Sequence, residues 1–163
     1  MNCPNCGAAM RFIDGRDHFV CRYCATHTFP KGAAATGDGV DLFDRDAELP
    51  CPLCAQTLAF GTVCGREVRC CRSCRGFLAS NETFAAVVRE RRRSRDGPAA
   101  DPTPINPDDL HRALRCPQCR GRMETHPYYG PGAVVVDTCA VCALIWLDAG
   151  ELSVIARAPG RIA

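Results

Sequence analysis

The chain has 163 residues, of which 14 are cysteine, with a formal charge of +2. The cysteines come in pairs at fixed spacing, which excludes a single oily core as the main source of stability and favours metal over a disulfide framework. No apolar run approaches the roughly 20 residues of a membrane-spanning helix, and Met1-Asn2-Cys3-Pro4 has neither the charged nor the apolar region of a secretory signal; a reducing cytoplasm is the expected location, with no membrane partner.

Charge is unevenly distributed. Residues 1–49 carry five basic and seven acidic side chains, 50–95 carry nine and three, and 96–163 carry six and eight. The basic middle lies between acidic ends, so the chain is not a uniformly basic nucleic-acid binder. Zinc binds thiolates, so each four-cysteine site contributes −2, and three such sites bring the holo-protein to about −4.

In chain order, the first module is a zinc ribbon over 1–30. Its knuckles are Cys3-Pro4-Asn5-Cys6 and Cys21-Arg22-Tyr23-Cys24. Between them, Arg11-Phe12-Ile13 and His18-Phe19-Val20 flank Asp14-Gly15, a tight-turn pair that predicts a β-hairpin. An acidic linker follows over 31–49, with Asp41-Leu42-Phe43-Asp44 as a short segment able to make an ordered contact.

The second ribbon occupies 50–95. Cys51-Pro52-Leu53-Cys54 and Cys71-Arg72-Ser73-Cys74 enclose strands at 58–63 and 67–70 around Gly65. Ser80 reads as a helix N-cap with Glu82 in the first turn, and Phe84, Val87 and Val88 share one helical face. The helix ends in Arg89-Glu90-Arg91-Arg92-Arg93-Ser94-Arg95. Two readings of that run stand: cations complementing the helix dipole, or a contact for phosphates. No aromatic residue interleaves with the arginines. Arg66, Arg69, Arg72 and Arg75 balance the charge of their own thiolate centre on the simplest reading.

Residues 96–114 are a Pro-rich linker that ends in a short helix at 108–114. The third ribbon, 115–158, has knuckles Cys116-Pro117-Gln118-Cys119 and Cys139-Ala140-Val141-Cys142, with Gly130-Pro131-Gly132 between Tyr128-Tyr129 and Ala133-Val134-Val135-Val136. Asp148 and Glu151 stand at N-cap and N3 spacing, an aspartate form of the capping box, ahead of a helix over about 149–157.

The three repeats are in register. Their knuckles are separated by 14, 16 and 19 residues, each first cysteine is followed by proline, and Met10, Leu58 and Met123 come four residues after the first knuckle to pack beneath the metal. The fold class is therefore small metal-stabilised domains: three zinc ribbons built of β-hairpins, the second and third each followed by a short α-helix. The ligands are Cys3, Cys6, Cys21 and Cys24; Cys51, Cys54, Cys71 and Cys74; Cys116, Cys119, Cys139 and Cys142. Segments of about 40 residues bury too little apolar surface to fold alone, and three structural Zn²⁺ ions supply the deficit. Cys64 lies at a hairpin tip and Cys70 at a strand position, outside the ligand register. His27 is the nearest stand-in ligand among the four histidines, with His18, His111 and His126 in surface or loop positions.

Trp146-Leu147-Asp148-Ala149-Gly150-Glu151-Leu152 closes the third ribbon. With its two C-x-x-C knuckles this segment resembles the bacterial transcription factor IIB-type zinc-ribbon family, whose signature ends in W-L-D-x-G-E-L. The resemblance covers about 116–155. It departs at Ala143-Leu144, where the family commonly has two glycines. Residues 51–88 are similar more weakly, with Gly76 kept but Leu78, Ala79, Ser80 and Thr83 in place of Trp, Leu, Asp and Glu. Residues 3–29 match only as a generic zinc ribbon. The resemblance implies zinc and a knuckle–hairpin–helix unit, and no activity.

Trp146, the sole tryptophan, reads either as the anchor of the helix on the ribbon or as a recognition residue. Nothing points to an enzyme: four thiolates close the coordination sphere, and no phosphate loop or nucleophile motif is present. Three function classes remain: an adaptor or regulatory protein whose ribbons are platforms for another protein; a nucleic-acid binder acting through Arg89, Arg91, Arg92, Arg93 and Arg95; and a redox sensor based on thiol and zinc chemistry. Oligomeric state is not encoded in any of these features.

Overall fold

A computed structural model describes residues 1–13, 18–24, 26–28, 38–102 and 104–160. The first ribbon is a small antiparallel sheet of β1 (Met10–Ile13), β2 (His18–Cys21) and β3 (His27–Thr28) in that order. Both expected strands are present, paired from Met10↔Cys21 to Ile13↔His18. The Asp14-Gly15 turn lies outside the described residues, as do the side chains of His18 and His27. Phe12 and Phe19 pack across the sheet with ring centroids 5.0 Å apart and planes tilted by 58°.

The other two ribbons are not beads. They share one seven-stranded sheet, ordered β4-β5-β6-β7-β10-β9-β8. Its strands are β4 (Asp41–Pro50), β5 (Thr57–Val63), β6 (Arg66–Cys71), β7 (Phe77–Ser80), β8 (Glu124–Pro127), β9 (Val135–Cys139) and β10 (Leu144–Leu147). The predicted hairpins therefore each gain a third strand after the second knuckle. These third strands, FLAS and LIWL, pair antiparallel with Leu78 opposite Trp146. Two half-sheets that would each expose a hydrogen-bonding edge thus satisfy one another.

The segment predicted as an acidic linker is partly strand: β4 covers the outer edge of β5, with register shifts on either side of Asp46. In the third ribbon, β8 and β9 are set back from the predicted tip, although the Tyr128 amide still donates to the Val134 carbonyl at 2.9 Å.

Helix α1 (Asn81–Arg93) begins as the sequence predicts, with the Ser80 hydroxyl accepting from the Thr83 amide at 3.0 Å and Phe84, Val87 and Val88 buried. Helix α2 (Pro107–Leu110) is a single turn capped by Asn106. Helix α3 (Glu151–Arg157) starts two residues later than expected, after Gly150 at φ 88°. Side chains alternate between the two faces of the large sheet. On one face α1 and α3 enclose a core that includes Val63, Cys70, Phe77, Phe84, Leu147, Leu152 and Ile155. On the other face Leu58, Leu78, Met123 and Trp146 pack with buried cysteines of the second and third sites. Both cores draw on both ribbons, so the pair forms one unit.

No described helix is long and apolar enough to cross a membrane. The first ribbon is tied to this unit through Asp108, which pairs with Arg22 at 2.8 Å and Arg11 at 3.4 Å. Those side chains are exposed, so the link contributes at most about 1 kcal/mol per pair.

Candidate metal centres

Each knuckle is a hydrogen-bonded loop that turns two sulfurs to one side. In the first knuckle the Cys3 amide donates to the Ala8 carbonyl at 2.8 Å and Gly7 donates back to the Cys3 carbonyl at 2.9 Å. The same two bonds recur at Cys51, Cys71 and Cys116. Closing the loop puts the residue after the second cysteine in the left-handed region: Gly7, Ala55, Arg75, Arg120 and Ala143 have φ between 52° and 75°. The Ala143-Leu144 departure therefore leaves the knuckle backbone unchanged, at the cost of strain that glycine would not incur.

The three predicted quartets converge, with the four sulfurs of each within 4.8 Å of one another. The closest approaches are Cys3–Cys24 at 3.4 Å, Cys6–Cys21 at 3.5 Å, Cys54–Cys71 at 3.5 Å, Cys51–Cys74 at 3.6 Å and Cys119–Cys139 at 3.6 Å. A regular tetrahedron with Zn–S bonds of about 2.3 Å has S···S edges of about 3.8 Å, and a disulfide would need about 2.05 Å. The donor set fits three structural zinc ions, and every cysteine is a free thiol. Each quartet divides between ligands held toward thiolate and ligands held toward thiol: against the Ala8 amide, neighbouring sulfurs push Cys6 up to about 12, and burial pushes Cys142 up to about 12. Hydrogen bonds from Thr26 pull Cys24 down to about 6, and the Gly121 amide pulls Cys119 down to about 7.

Cys70 and Cys64 join none of the quartets. Cys70 points to the opposite face from Cys71, into the helix-side core, where burial pushes its thiol up to about 12. Cys64 sits in the hairpin turn at φ 49°. His126 stacks on Tyr129, away from any sulfur quartet.

The third ribbon carries a second layer of structure. Trp146 is fully buried and donates its indole N–H to Asp148 at 2.9 Å. Gly76 lies under the ring; a Cβ there would stand 2.4 Å from the indole. Arg112 donates to both Asp148 and Asp137, and Thr125 donates to Asp137. Burial raises the Asp137 carboxyl while Arg112 opposes the rise. Here W, D and E of the closing signature each have a physical task. Glu151 accepts from the Asp148 amide at 2.8 Å, which is one half of the predicted capping box. The Asp148 carboxylate accepts from Arg112 and Trp146, and the Glu151 amide donates to the Asp148 carbonyl at 3.2 Å. Asp38 caps α3, accepting from Gly150 at 2.7 Å and Ser153 at 2.9 Å.

Residues 115–158 match the family described as transcription factor zinc-finger, of the TFIIB zinc-ribbon type. The third module is a TFIIB-type zinc ribbon. No curated protein and no solved structure matches the chain. The TFIIB-type ribbon thus pairs, within one chain, with a second ribbon whose Leu78 faces its tryptophan.

The remaining predicted contact residues separate into two groups. Trp146, open to two readings from sequence, is the internal anchor. In the arginine run, Arg91 donates to the Asp38 carbonyl, and buried Arg92 donates to the carbonyls of Ile155 at 2.7 Å, Ala158 at 3.1 Å and Gly160 at 2.9 Å. Arg95 reaches Ala158 at 3.0 Å. Arg92 and Arg95 thereby satisfy orphan carbonyls at and beyond the end of α3, while Arg91 holds the segment that carries Asp38. Arg89 and Arg93 are exposed. In the second ribbon Arg72 pairs with Asp46 at 2.7 Å on β4, so strand as well as thiolate charge absorbs its cation.

Sequence reasoning missed Asp38, Arg112 and Asp137. None of the three stood out: Arg112 shares the stretch between the acidic turn and the knuckle with His111 and Arg115.

Proposed function

We propose that this chain is a non-enzymatic zinc-dependent adaptor whose paired ribbons present a rigid surface to another protein. The observation that carries this reading is the fusion of two ribbons into one sheet with a core on each face, since a platform requires a surface that does not reorganise on contact. The four-thiolate sites support it by leaving no coordination position for a substrate. The contact surface is the outer strand β4. It is bulged and solvent-facing, and it exposes the consecutive residues Leu42 and Phe43 between Asp41 and Asp44.

The test is site-specific photo-crosslinking in the native host, with the reactive group at Phe43 and, as a control, at Glu82 on the far helix. A defined protein crosslinked at position 43 and lost in L42S/F43S, with zinc content unchanged, supports the adaptor reading. Absence of any protein adduct at position 43 refutes it.

A further inference from the structure

The exposed charge of the third ribbon is concentrated at its first knuckle. Arg115 and Arg122 face one another across an isolated antiparallel bridge, an arrangement that places two cations on one face and is destabilising without an anion. The Arg115 guanidinium donates to the Arg120 carbonyl at 3.2 Å, which brings the third arginine into the same patch. All three are exposed, and none forms an ion pair with any described acid, including adjacent Glu124. Arg120 moreover occupies a left-handed position, φ 63°, where Gly7 stands in the first ribbon. A cationic side chain is thus held at a strained site whose backbone glycine would suit better.

The same strand leads to an aromatic pair. Arg122, Glu124 and His126 alternate outward along β8 and its approach, and the His126 ring stacks on Tyr129 with centroids 5.0 Å apart and planes 18° from parallel. His126 is fixed by the Pro127 carbonyl at 2.8 Å and the Thr138 hydroxyl at 3.3 Å, while Tyr129 is 88% exposed. At about 3.3 Å per residue the arginines and the rings are separated by about 13 Å.

We propose that the edge formed by Arg115, Arg120, Arg122, His126 and Tyr129 binds single-stranded nucleic acid, with the arginines on phosphates and a base stacked on Tyr129. An unpaired cation cluster supplies backbone attraction, and a flat exposed ring accepts any base. This surface is separate from β4, and from Arg91, Arg92 and Arg95, which are committed within the fold.

The test uses the full zinc-loaded chain and a fluorescein-labelled oligonucleotide of about ten nucleotides, followed by anisotropy against salt. Three phosphate contacts predict a slope of log K on log salt of about −2. R115S/R120G/R122S abolishes binding with zinc content intact, Tyr129→Ala weakens it about tenfold, and R89S/R93S leaves it unchanged. The proposal is overturned by no binding at about 50 mM salt, by equal binding of a duplex, or by binding that R89S/R93S removes and the triple variant does not. It is equally overturned if the triple variant loses zinc and the parent protein binds no oligonucleotide, because the arginines then only neutralise the thiolate centre.

Discussion

Arg112 bridges Asp137 and Asp148, with side-chain exposures of 14%, 0% and 9% respectively. Arg112→Met keeps the apolar stem and removes the guanidinium, leaving two buried carboxylates without their bridging cation, beside the Thr125 hydroxyl and the Trp146 indole. Breaking a buried pair in this way costs about 3–5 kcal/mol. At a urea dependence of about 2 kcal/mol per molar, a loss near 3.5 kcal/mol moves the unfolding midpoint down by about 1.7 M. Trp146 is the sole tryptophan and touches the network, so its fluorescence reports the transition directly.

The sign of the pH dependence follows from Asp137, whose carboxyl burial already raises. Without Arg112 it rises further. An acid with a raised folded-state pKa costs stability above that pKa, and the cost disappears as the pH falls through it. The deficit of Arg112→Met, measured with zinc in slight excess and only over the range in which zinc stays bound, is therefore largest at pH 8 and narrows as the pH is lowered. A deficit under about 1 kcal/mol, or one independent of pH, refutes the account of this network.

Three further outcomes are expected. Ala143→Gly relieves a left-handed alanine and raises stability by about 0.5–1 kcal/mol after the unfolded-state entropy of glycine is counted, measurable by urea titration. Asp38→Ala strips the N-terminal cap from α3 and lowers stability by about 2 kcal/mol, with loss of amide-exchange protection at Gly150 and Ser153 ahead of β6. A chelator added in steps removes zinc in a fixed order. The first site, with Cys6 exposed in a three-stranded sheet, empties before the second, where Cys51, Cys71 and Cys74 are buried; native mass spectrometry with ribbon-specific cysteine alkylation reads the order.

What could be read from sequence was local. The knuckles, the hairpins, the Ser80 cap and the buried face of α1 depend on residues within a few positions of one another, and each left a spacing or a propensity. The pairing of β7 with β10 joins Leu78 to Trp146 across 68 positions, and short runs such as FLAS and LIWL are equally consistent with a strand or a lead-in to the helix that follows. Asp38 reaches α3 over a sequence separation of 112, and nothing beside it marks it as a cap. The capping-box spacing at Asp148 and Glu151 correctly marked the Glu151 side chain as a partner of the Asp148 amide, but it gave no sign that the Asp148 carboxylate also accepts from Arg112, a charge-assisted bond to a residue 36 positions away. The arginine run showed its charge but not its partners, since the carbonyls it satisfies belong to Asp38 and to the end of α3 and the residues after it, more than 50 positions away.

The central claim is that all three metal sites are closed and structural, leaving function to the surfaces they support. Zinc K-edge X-ray absorption on the fully loaded chain tests this most directly. The account predicts a mean first shell of four sulfurs at about 2.3 Å with no lighter scatterer. A nitrogen or oxygen ligand in that shell would mean an open or histidine-bearing site and would contradict it.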